Sequence, residues 1–295
     1  MKVNKNTKPR VIVHLYGGVG NQLFQYVFGE YIRNRYGHSV FYDVSSFGIL
    51  ETYRNYQLDV ITKELPIYKT NHFFFSRYNK YIRYALRLAY KSLPGVKYIC
   101  DYEDVFEERI LAESKYSTLY FDGYWHNKKY AEWLYKHIPE TFQPIDEVPG
   151  VLSEYLTLVN NKEVISLHVR RGDYLKPSNS NLMGACSDGY YQKAVDILKK
   201  KHPDSLLLIF SDDTDWVKEN LHFEIPTTIV RNDDIKPFWY IYLMSKCAHN
   251  IMSNSTFSWW GAFLNDYPEK DVVMPAKWYA RDENPQIYYE KWIKI

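Results

Sequence analysis

The sequence predicts an α/β protein of two domains, the second built on a doubly wound parallel sheet. Three observations support this prediction. The chain opens with a strand, a glycine-rich loop and a helix, and short apolar runs alternate with helical segments through its C-terminal half. At 295 residues with 46% hydrophobic content, it is long enough for one large or two medium-sized cores.

The opening βαβ unit is the clearest part of the pattern. A strand is predicted over residues 11–15, and a glycine-rich loop follows it. The next segment has the apolar spacing of an amphipathic helix, which Gly37 ends. Its apolar positions are Leu23, Phe24, Val27, Phe28 and Tyr31. A second strand over residues 39–44 follows at once, as is typical of a parallel sheet.

The middle of the chain gives no readable pattern between residues 54 and 130. It contains a basic run, residues 76–93, in which Ile82, Ala85, Leu86 and Ala89 can share one helix face. Two interpretations stay open, an ordinary surface helix or contact with a membrane that carries lipid-linked glycan. Turn-forming residues at 143–150 indicate a boundary between domains 1–150 and 151–295.

Beyond that boundary, strands and helices alternate regularly, which is typical of a doubly wound α/β domain. The predicted strands are residues 164–169, 206–210, 228–230, 250–252 and 271–274, and the predicted helices are residues 189–201, 216–221, 237–248 and 257–265.

The bulk composition excludes several classes of protein. A net charge of +2, from 37 basic and 35 acidic residues, leaves no field that would attract nucleic acid. No apolar stretch is long enough to span a membrane or to form the core of a signal peptide. Cys100, Cys186 and Cys247 are widely spaced and form no CxxC pair, which fits reduced thiols. We therefore expect a cytoplasmic protein, with membrane contact limited to its inner face.

Polar residues gather at the predicted ends of three strands, where α/β sheets bind ligands. The predicted strand at residues 164–169 runs into Arg170. Because side chains alternate along a strand with a period of two, His168 and Arg170 lie on the same side. The rigid, permanently charged fork of arginine suits a diphosphate. The alternative is an ion pair between Arg170 or Arg171 and Asp173 that closes a tight turn.

The predicted strand at residues 206–210 is followed by a run of acidic residues. Asp212 can accept the paired donors of a guanine edge or a ribose hydroxyl. Asp213 and Asp215 form a DxD pattern that binds a metal ion in other proteins, but aspartates at a helix start are also ordinary N-caps. Both interpretations stay open.

The predicted strand at residues 250–252 leads into a helix that begins with Ser255 and Thr256. Free backbone N–H groups and these hydroxyls can bind an anion such as a diphosphate, although plain capping predicts the same residues.

The N-terminal glycine loop offers Asn21, whose amide can donate to and accept from sugar hydroxyls. A dinucleotide-binding loop, with Asp43 as the ribose ligand, is the alternative. It is disfavoured because Leu23 stands where that motif has its third glycine.

Four motifs resemble a known family. GGVGNQLFQYVFGEYI, HVRRGDY, FSDDTDWVKEN and MSNSTFSWWGAFLN, in that order, are similar to the bacterial members of the α-1,2-fucosyltransferase family, glycosyltransferase family 11. The resemblance covers nearly the whole chain. It implies a GT-B-like architecture of two Rossmann-like domains, with acceptor binding in the N-terminal half and GDP-fucose binding in the C-terminal half.

The resemblance also implies roles for particular residues. Arg170 would bind the diphosphate, His168 and Asp212 would lie near the guanosine, and Ser255, Thr256 and Phe257 would lie near the phosphates. Asn21 matches a motif asparagine close to the reacting sugar, within an acceptor loop of Gly18, Gly20, Asn21 and Gln22.

The reaction that the resemblance implies is an inverting transfer of L-fucose from GDP-β-L-fucose to the 2-hydroxyl of a galactose-terminated glycan. No metal and no cofactor are expected. Arg170 and Asn21 are the predicted catalytic residues, and Asp173 is our nomination for the base. Two alternatives are a metal-dependent glycosyltransferase using Asp213 and Asp215, and a non-catalytic glycan-binding protein, suggested by the 18% aromatic content.

Overall fold

The computed structural model describes residues 8–47, 55–68, 85, 88–89, 92–101, 106–113, 115–175, 184–279 and 286–295, apart from the side chains of residues 173 and 175. The chain divides into two compact units, Met1–Asp146 and Glu147–Ile295. Each unit contains a parallel sheet. The predicted junction after residue 150 falls in the 3-10 turn Gly150–Leu152.

The first unit holds a four-stranded sheet in which every strand pair is parallel. Its strands are β1 (Arg10–His14), β2 (Val40–Asp43), β3 (Val96–Cys100) and β4 (Thr118–Asp122), in the spatial order β2-β1-β4-β3. Helix α1 (Val19–Tyr36) connects β1 to β2, and helix α2 (Lys128–His137) follows β4. The predicted βαβ unit is therefore confirmed.

Helix α1 packs closely against β2. Gly37 ends the helix in the left-handed conformation, with φ of 67°, and donates its N–H to the Arg33 carbonyl. Gly29 leaves room for Tyr42, since a Cβ at that position would lie 2.4 Å from the Tyr42 hydroxyl. That hydroxyl donates to the buried Glu30 carboxylate at 2.8 Å, so the contact joins helix to strand.

Residues 54–130, in which the sequence showed no readable pattern, contain two strands of the first sheet, β3 and β4. All five residues of β4 are buried, so its sequence lacks the alternation of apolar and polar residues that marks a half-buried strand. Strand β3 is half-buried at the sheet edge, where the alternating pattern is weak. Periodicity alone does not distinguish a buried strand of this length from a segment of buried helix.

The second unit holds a six-stranded parallel sheet. Its strands are β5 (Val164–Val169), β6 (Leu206–Ser211), β7 (Thr227–Ile229), β8 (His249–Ile251), β9 (Val272–Met274) and β10 (Ile293–Lys294). Its helices are α3 (Ser153–Asn161), α4 (Asp188–Lys201), α5 (Thr214–Asn220), α6 (Phe238–Ser245) and α7 (Thr256–Leu264). The strands and helices predicted for this half are confirmed to within a few residues.

The strand order β10-β9-β8-β5-β6-β7 shows that the second sheet is doubly wound. From β5 the chain proceeds outward through β6 and β7, then returns to β8 on the other side of β5. The order therefore reverses between β5 and β8, and the carboxyl ends of strands at such a reversal are where α/β sheets bind ligands. Strand β5 lies between β8 and β6, and all six of its residues are buried.

Among the described helices, none combines the length and the apolarity needed to cross a membrane. Most of the basic run at residues 76–93, including Ile82 and Leu86, lies outside the described residues.

Candidate functional site

His168 lies at the carboxyl end of β5, at the reversal point of the second sheet. Its side chain is buried, with Nδ1 2.8 Å from Ser253 Oγ and its ring centroid 5.2 Å from that of Phe257. Burial, reinforced by the charge of Arg170, lowers the pKa of His168 to about 3. The imidazole is therefore neutral at physiological pH, and it links the end of β5 to the segment that follows β8.

Arg170 pairs with Asp212 across the carboxyl ends of β5 and β6. Its Nη1 lies 2.7 Å from Asp212 Oδ2, and the Arg171 backbone N–H donates to Asp212 Oδ1 at 3.0 Å. Gly172 makes this approach possible, because a Cβ there would lie 2.4 Å from Asp212 Oδ2. The structure thus brings together two side chains that the sequence predicted independently as donor contacts.

Asp173 belongs to a 3-10 turn, Gly172–Leu175, but its side chain lies outside the part of the chain that the structure describes. The neighbouring Tyr174 hydroxyl donates to the Asn254 carbonyl at 3.1 Å. This bond ties the loop after β5 to the loop after β8.

The DxD aspartates have structural partners in the described chain. Asp213 is the N-cap of α5 and accepts from the Trp216 N–H at 3.2 Å. Asp215 is largely exposed and lies 2.9 Å from Lys218. The Arg171 guanidinium lies 3.4 Å from the Trp216 ring centroid and 3.6 Å from the Asp213 carboxylate. The predicted capping role is confirmed for Asp213.

The segment after β8 supplies the start of helix α7. Ser255 is its N-cap, and Ser255 Oγ accepts from the Phe257 N–H at 3.3 Å. Thr256 and Phe257 are half-buried in the first turn. A helix start carries partial positive charge and unpaired backbone N–H groups, so this end of α7 has the chemistry of an anion site. The hydrogen bond of Ser255 is equally what ordinary helix capping by a serine predicts.

The glycine loop of the first unit connects β1 to α1. Gly17 adopts φ of 81°, Gly18 is the N-cap of α1, and Gly20 lies buried in the first turn. Gln22 is fully buried, where its Nε2 donates to the carbonyls of Gly17 and Asn55. Its Oε1 accepts from the Gln57 N–H at 2.9 Å, so Gln22 holds two loops together.

Asp43 has structural partners of its own. It is buried and accepts from the Tyr120 hydroxyl at 2.7 Å and from the Ser45 N–H at 2.9 Å. These contacts fix the end of β2 and offer no support for a ribose-binding role.

Sequence reasoning missed His126, which the structure places beside Asn21. His126 Nε2 lies 3.2 Å from Asn21 Oδ1. The two residues are 105 positions apart, and no periodicity or motif joins them.

One group with the composition of a metal site exists among the described residues, and no sequence pattern indicated it. Glu163, His202 and His249 lie at the amino ends of β5 and β8, opposite the edge with Arg170. Glu163 Oε1 lies 2.8 Å from His249 Nε2 and 3.1 Å from His202 Nδ1. Asp271 contacts the other nitrogen of each ring. The rings stack with centroids 3.6 Å apart. We refer to Glu163, His202, His249 and Asp271 as the polar clamp.

Two solved fucosyltransferase structures share the fold. NodZ from Bradyrhizobium aligns with a TM-score of 0.50 at 16% identity, over 88% of this chain and 94% of NodZ. A variant of FUT1 from Arabidopsis thaliana, solved with GDP, aligns with a TM-score of 0.54 at 13% identity, over 90% of this chain and 70% of that chain. The chain therefore has a GT-B-like fold.

Sequence comparison identifies the family. Residues 97–295 match the model of glycosyl transferase family 11. An α-1,2-colitosyltransferase of Escherichia coli is 29% identical over 301 residues, which span 97% of this chain and 98% of that protein. The Escherichia coli O-antigen biosynthesis glycosyltransferase WbnK is 38% identical over 141 residues, which span 47% of this chain and 46% of WbnK. The chain belongs to glycosyl transferase family 11.

A third relative is named for its acceptor and matches a smaller part of the chain. Human galactoside α-(1,2)-fucosyltransferase 1 is 29% identical over 134 residues, which span 44% of this chain and 36% of that protein. Family membership favours catalysis over the alternative of a non-catalytic glycan-binding protein.

Proposed function

We propose that the protein transfers L-fucose from GDP-β-L-fucose to the 2-hydroxyl of a galactose residue, with inversion and without a metal ion. Family 11 membership and the α-1,2 linkage in the names of its relatives support the reaction type. Cell-surface polysaccharide or oligosaccharide synthesis is the setting that this acceptor implies. The observation that carries the proposal is the grouping of Arg170, Asp212 and His168 at one edge of the doubly wound sheet.

The donor assignment follows from charge and position. Arg170 supplies a fork that matches diphosphate oxygens, and the start of α7 at Ser255 and Thr256 adds partial positive charge. Neutral His168 and the carboxylate of Asp212 are suited to the uncharged guanosine. The FUT1 structure contains GDP, which supports a guanosine diphosphate sugar as the donor.

The mechanism we propose is a single displacement. The acceptor oxygen forms a bond to the fucose anomeric carbon as the bond from that carbon to the diphosphate oxygen breaks. GDP departs with the electron pair, and Arg170 together with the α7 start stabilises the growing negative charge. The acceptor hydroxyl gives up its proton to a general base, and Asp173 is the residue that we propose for this role. Asn21, in the first unit, is proposed to contact the acceptor sugar.

A second candidate donor is GDP-colitose. The relative that matches almost the whole chain is a colitosyltransferase. Colitose is fucose without its 3-hydroxyl, so the two donors differ in a single hydrogen-bonding group. A site built to bind that hydroxyl rejects the deoxy sugar strongly, whereas an apolar site does not.

The test is transfer from GDP-fucose and from GDP-colitose to a panel of β-galactosides, with the product linkage determined by NMR. An α-1,2-linked fucose product is expected, unchanged by EDTA. Preferred transfer of colitose would change the donor and leave the reaction class intact. If neither GDP sugar is transferred or hydrolysed while another sugar nucleotide is, the proposed function is wrong.

Metal independence is part of the proposal and has its own control. Asp215→Ala removes the DxD pair without disturbing the Asp213 cap, and we expect it to leave turnover unchanged. If EDTA abolishes the activity of the unchanged protein and Asp215→Ala is also inactive, the metal-dependent alternative is supported.

A further inference from the structure

The carboxyl edge of the first sheet carries a row of aromatic rings. Tyr16 follows β1, while Tyr124 and His126 follow β4, which pairs with β1 in parallel register. The centroids of Tyr16 and Tyr124 lie 4.8 Å apart, and Tyr124 stacks on His126 at 5.1 Å with an interplanar angle of 8°. All three side chains are half-buried. We refer to Tyr16, Tyr124 and His126 as the ring row.

The turn that carries Tyr124 and His126 is tightly specified. Trp125 adopts φ of 55°, a conformation that side-chain-bearing residues rarely take. The Asp101 carboxylate accepts the N–H groups of Tyr124 and Trp125 at 3.1 and 2.9 Å. A Cβ at Gly123 would lie 2.0 Å from the Asp101 Cβ, so only glycine fits there. The stacking of Trp125 on Phe28 at 4.5 Å holds the turn against the core.

The ring row is cross-linked to the glycine loop. Gln25 Oε1 accepts from the Tyr16 N–H at 3.0 Å, and Gln25 Nε2 donates to the Gly123 carbonyl at 3.1 Å. This buried amide fixes the loop after β1 to the turn after β4. Because Gln22 and Gln25 are both buried, Asn21 is the half-exposed amide at the start of α1.

His126 determines how the Asn21 amide points. An amide oxygen only accepts, so the 3.2 Å contact requires the proton on His126 Nε2. Burial lowers the pKa of His126 to about 3, so the ring is neutral and carries a single proton. With the amide oxygen held by His126, the Asn21 nitrogen lies on the side of Gly17, whose Cβ would be 3.0 Å from it.

We propose that this edge is the acceptor subsite, in which a neutral pyranose lies against the ring row and the Asn21 amide, positioned by His126, binds a sugar hydroxyl. The inference rests on the proposed function and extends it to a named site. Sugars combine apolar C–H patches with hydroxyls, and aromatic side chains with a few polar groups match both. His126 is a positioning residue, since it acts through Asn21.

Charge at this edge favours a sugar over the nucleotide. The carboxylates of Asp43, Asp101 and Asp122 lie at or just beyond the ends of β2, β3 and β4. Tyr16, Tyr124, His126 and Asn21 carry no formal charge at neutral pH. A diphosphate would be repelled by the carboxylates, whereas a neutral hexose is not.

The experiment compares Tyr124→Ala with a matched control, Tyr135→Ala, which removes a 37% exposed tyrosine from α2. Kinetic measurements give KM for a β-galactoside, KM for GDP-fucose, and the rate of GDP-fucose hydrolysis without acceptor. We expect Tyr124→Ala to raise the acceptor KM about tenfold. Donor KM and hydrolysis should change by less than about twofold, and Tyr135→Ala should change none of the three.

Two His126 variants separate ring packing from hydrogen bonding. His126→Phe keeps a ring against Tyr124 but has no N–H donor, so the acceptor KM should rise. His126→Gln restores a donor and should recover most of the loss. An unchanged acceptor KM in folded Tyr124→Ala and His126→Phe overturns the proposal.

Galactoside binding can also be measured by NMR titration without any donor. Binding that is weakened by Tyr124→Ala supports the subsite, even if GDP-fucose is not the donor and the proposed function fails. Binding that is undetectable in the unchanged protein, or that survives Tyr124→Ala intact, overturns the subsite even if fucose transfer is observed.

Discussion

Arg170 Nη1 lies 2.7 Å from Asp212 Oδ2, which joins the carboxyl ends of two neighbouring strands, β5 and β6. The pair is about one quarter exposed on each side, so it is reachable by a ligand. Asp212 is itself held by the Arg171 backbone N–H. The arginine fork is thereby oriented before any ligand binds, and such preorganised charge is effective in stabilising a leaving group.

Arg170→Lys is expected to be nearly as damaging as Arg170→Ala. A single ammonium cannot reproduce the two parallel hydrogen bonds of a guanidinium. Turnover should fall on the order of 100-fold or more in both variants. Arg109→Lys is the matched control, because Arg109 forms an exposed ion pair with Glu107 in the first unit, whereas the predicted donor residues lie in the second. Near-normal turnover of Arg170→Lys would remove the phosphate role from Arg170.

Gly172→Ala is expected to weaken donor binding. The new Cβ would lie 2.4 Å from Asp212 Oδ2, so the carboxylate must move and its pairing with Arg170 is disturbed. KM for the GDP sugar should rise about tenfold, with acceptor KM little changed. Gly150→Ala is the control, since a Cβ at Gly150 meets nothing within 4 Å. Equal donor KM in the two variants would contradict the prediction.

Folding stability is expected to fall as the pH decreases below about 6.5. Burial lowers the pKa of His38, His126, His168 and His249 below that ordinary value. The unfolded chain takes up protons on these rings below about pH 6.5 and the folded chain does not, so acid favours unfolding. Tm measured between about pH 7 and pH 5 should decrease, and less steeply in His126→Gln. A Tm that stays level or rises would contradict this.

The polar clamp at the opposite sheet edge is expected to affect stability and not catalysis. His202→Ala removes one of the two rings that contact both Glu163 and Asp271, at a cost of about 1–3 kcal/mol. Tm should fall by several degrees while KM for both substrates is unchanged. Added Zn²⁺ should not raise Tm, because Glu163 and Asp271 already contact all four ring nitrogens of His202 and His249. A Tm increase with Zn²⁺ would identify a metal site instead.

The sequence by itself determined the α/β class, the opening βαβ unit and the second sheet, because buried parallel strands leave short apolar runs between helical segments. It also placed His168, Arg170, Asp212 and Ser255 at strand ends, since parallel strands all deliver their carboxyl ends to one edge. The tertiary structure alone decided that Arg170 pairs with Asp212, where the sequence suggested Asp173 as an alternative partner. It alone also revealed β3 and β4, and brought His126 to Asn21 across 105 positions. Local periodicity shows which residues face a core. Contacts between residues that are distant in sequence depend on how the crossover connections pack, and no local sequence pattern shows this packing.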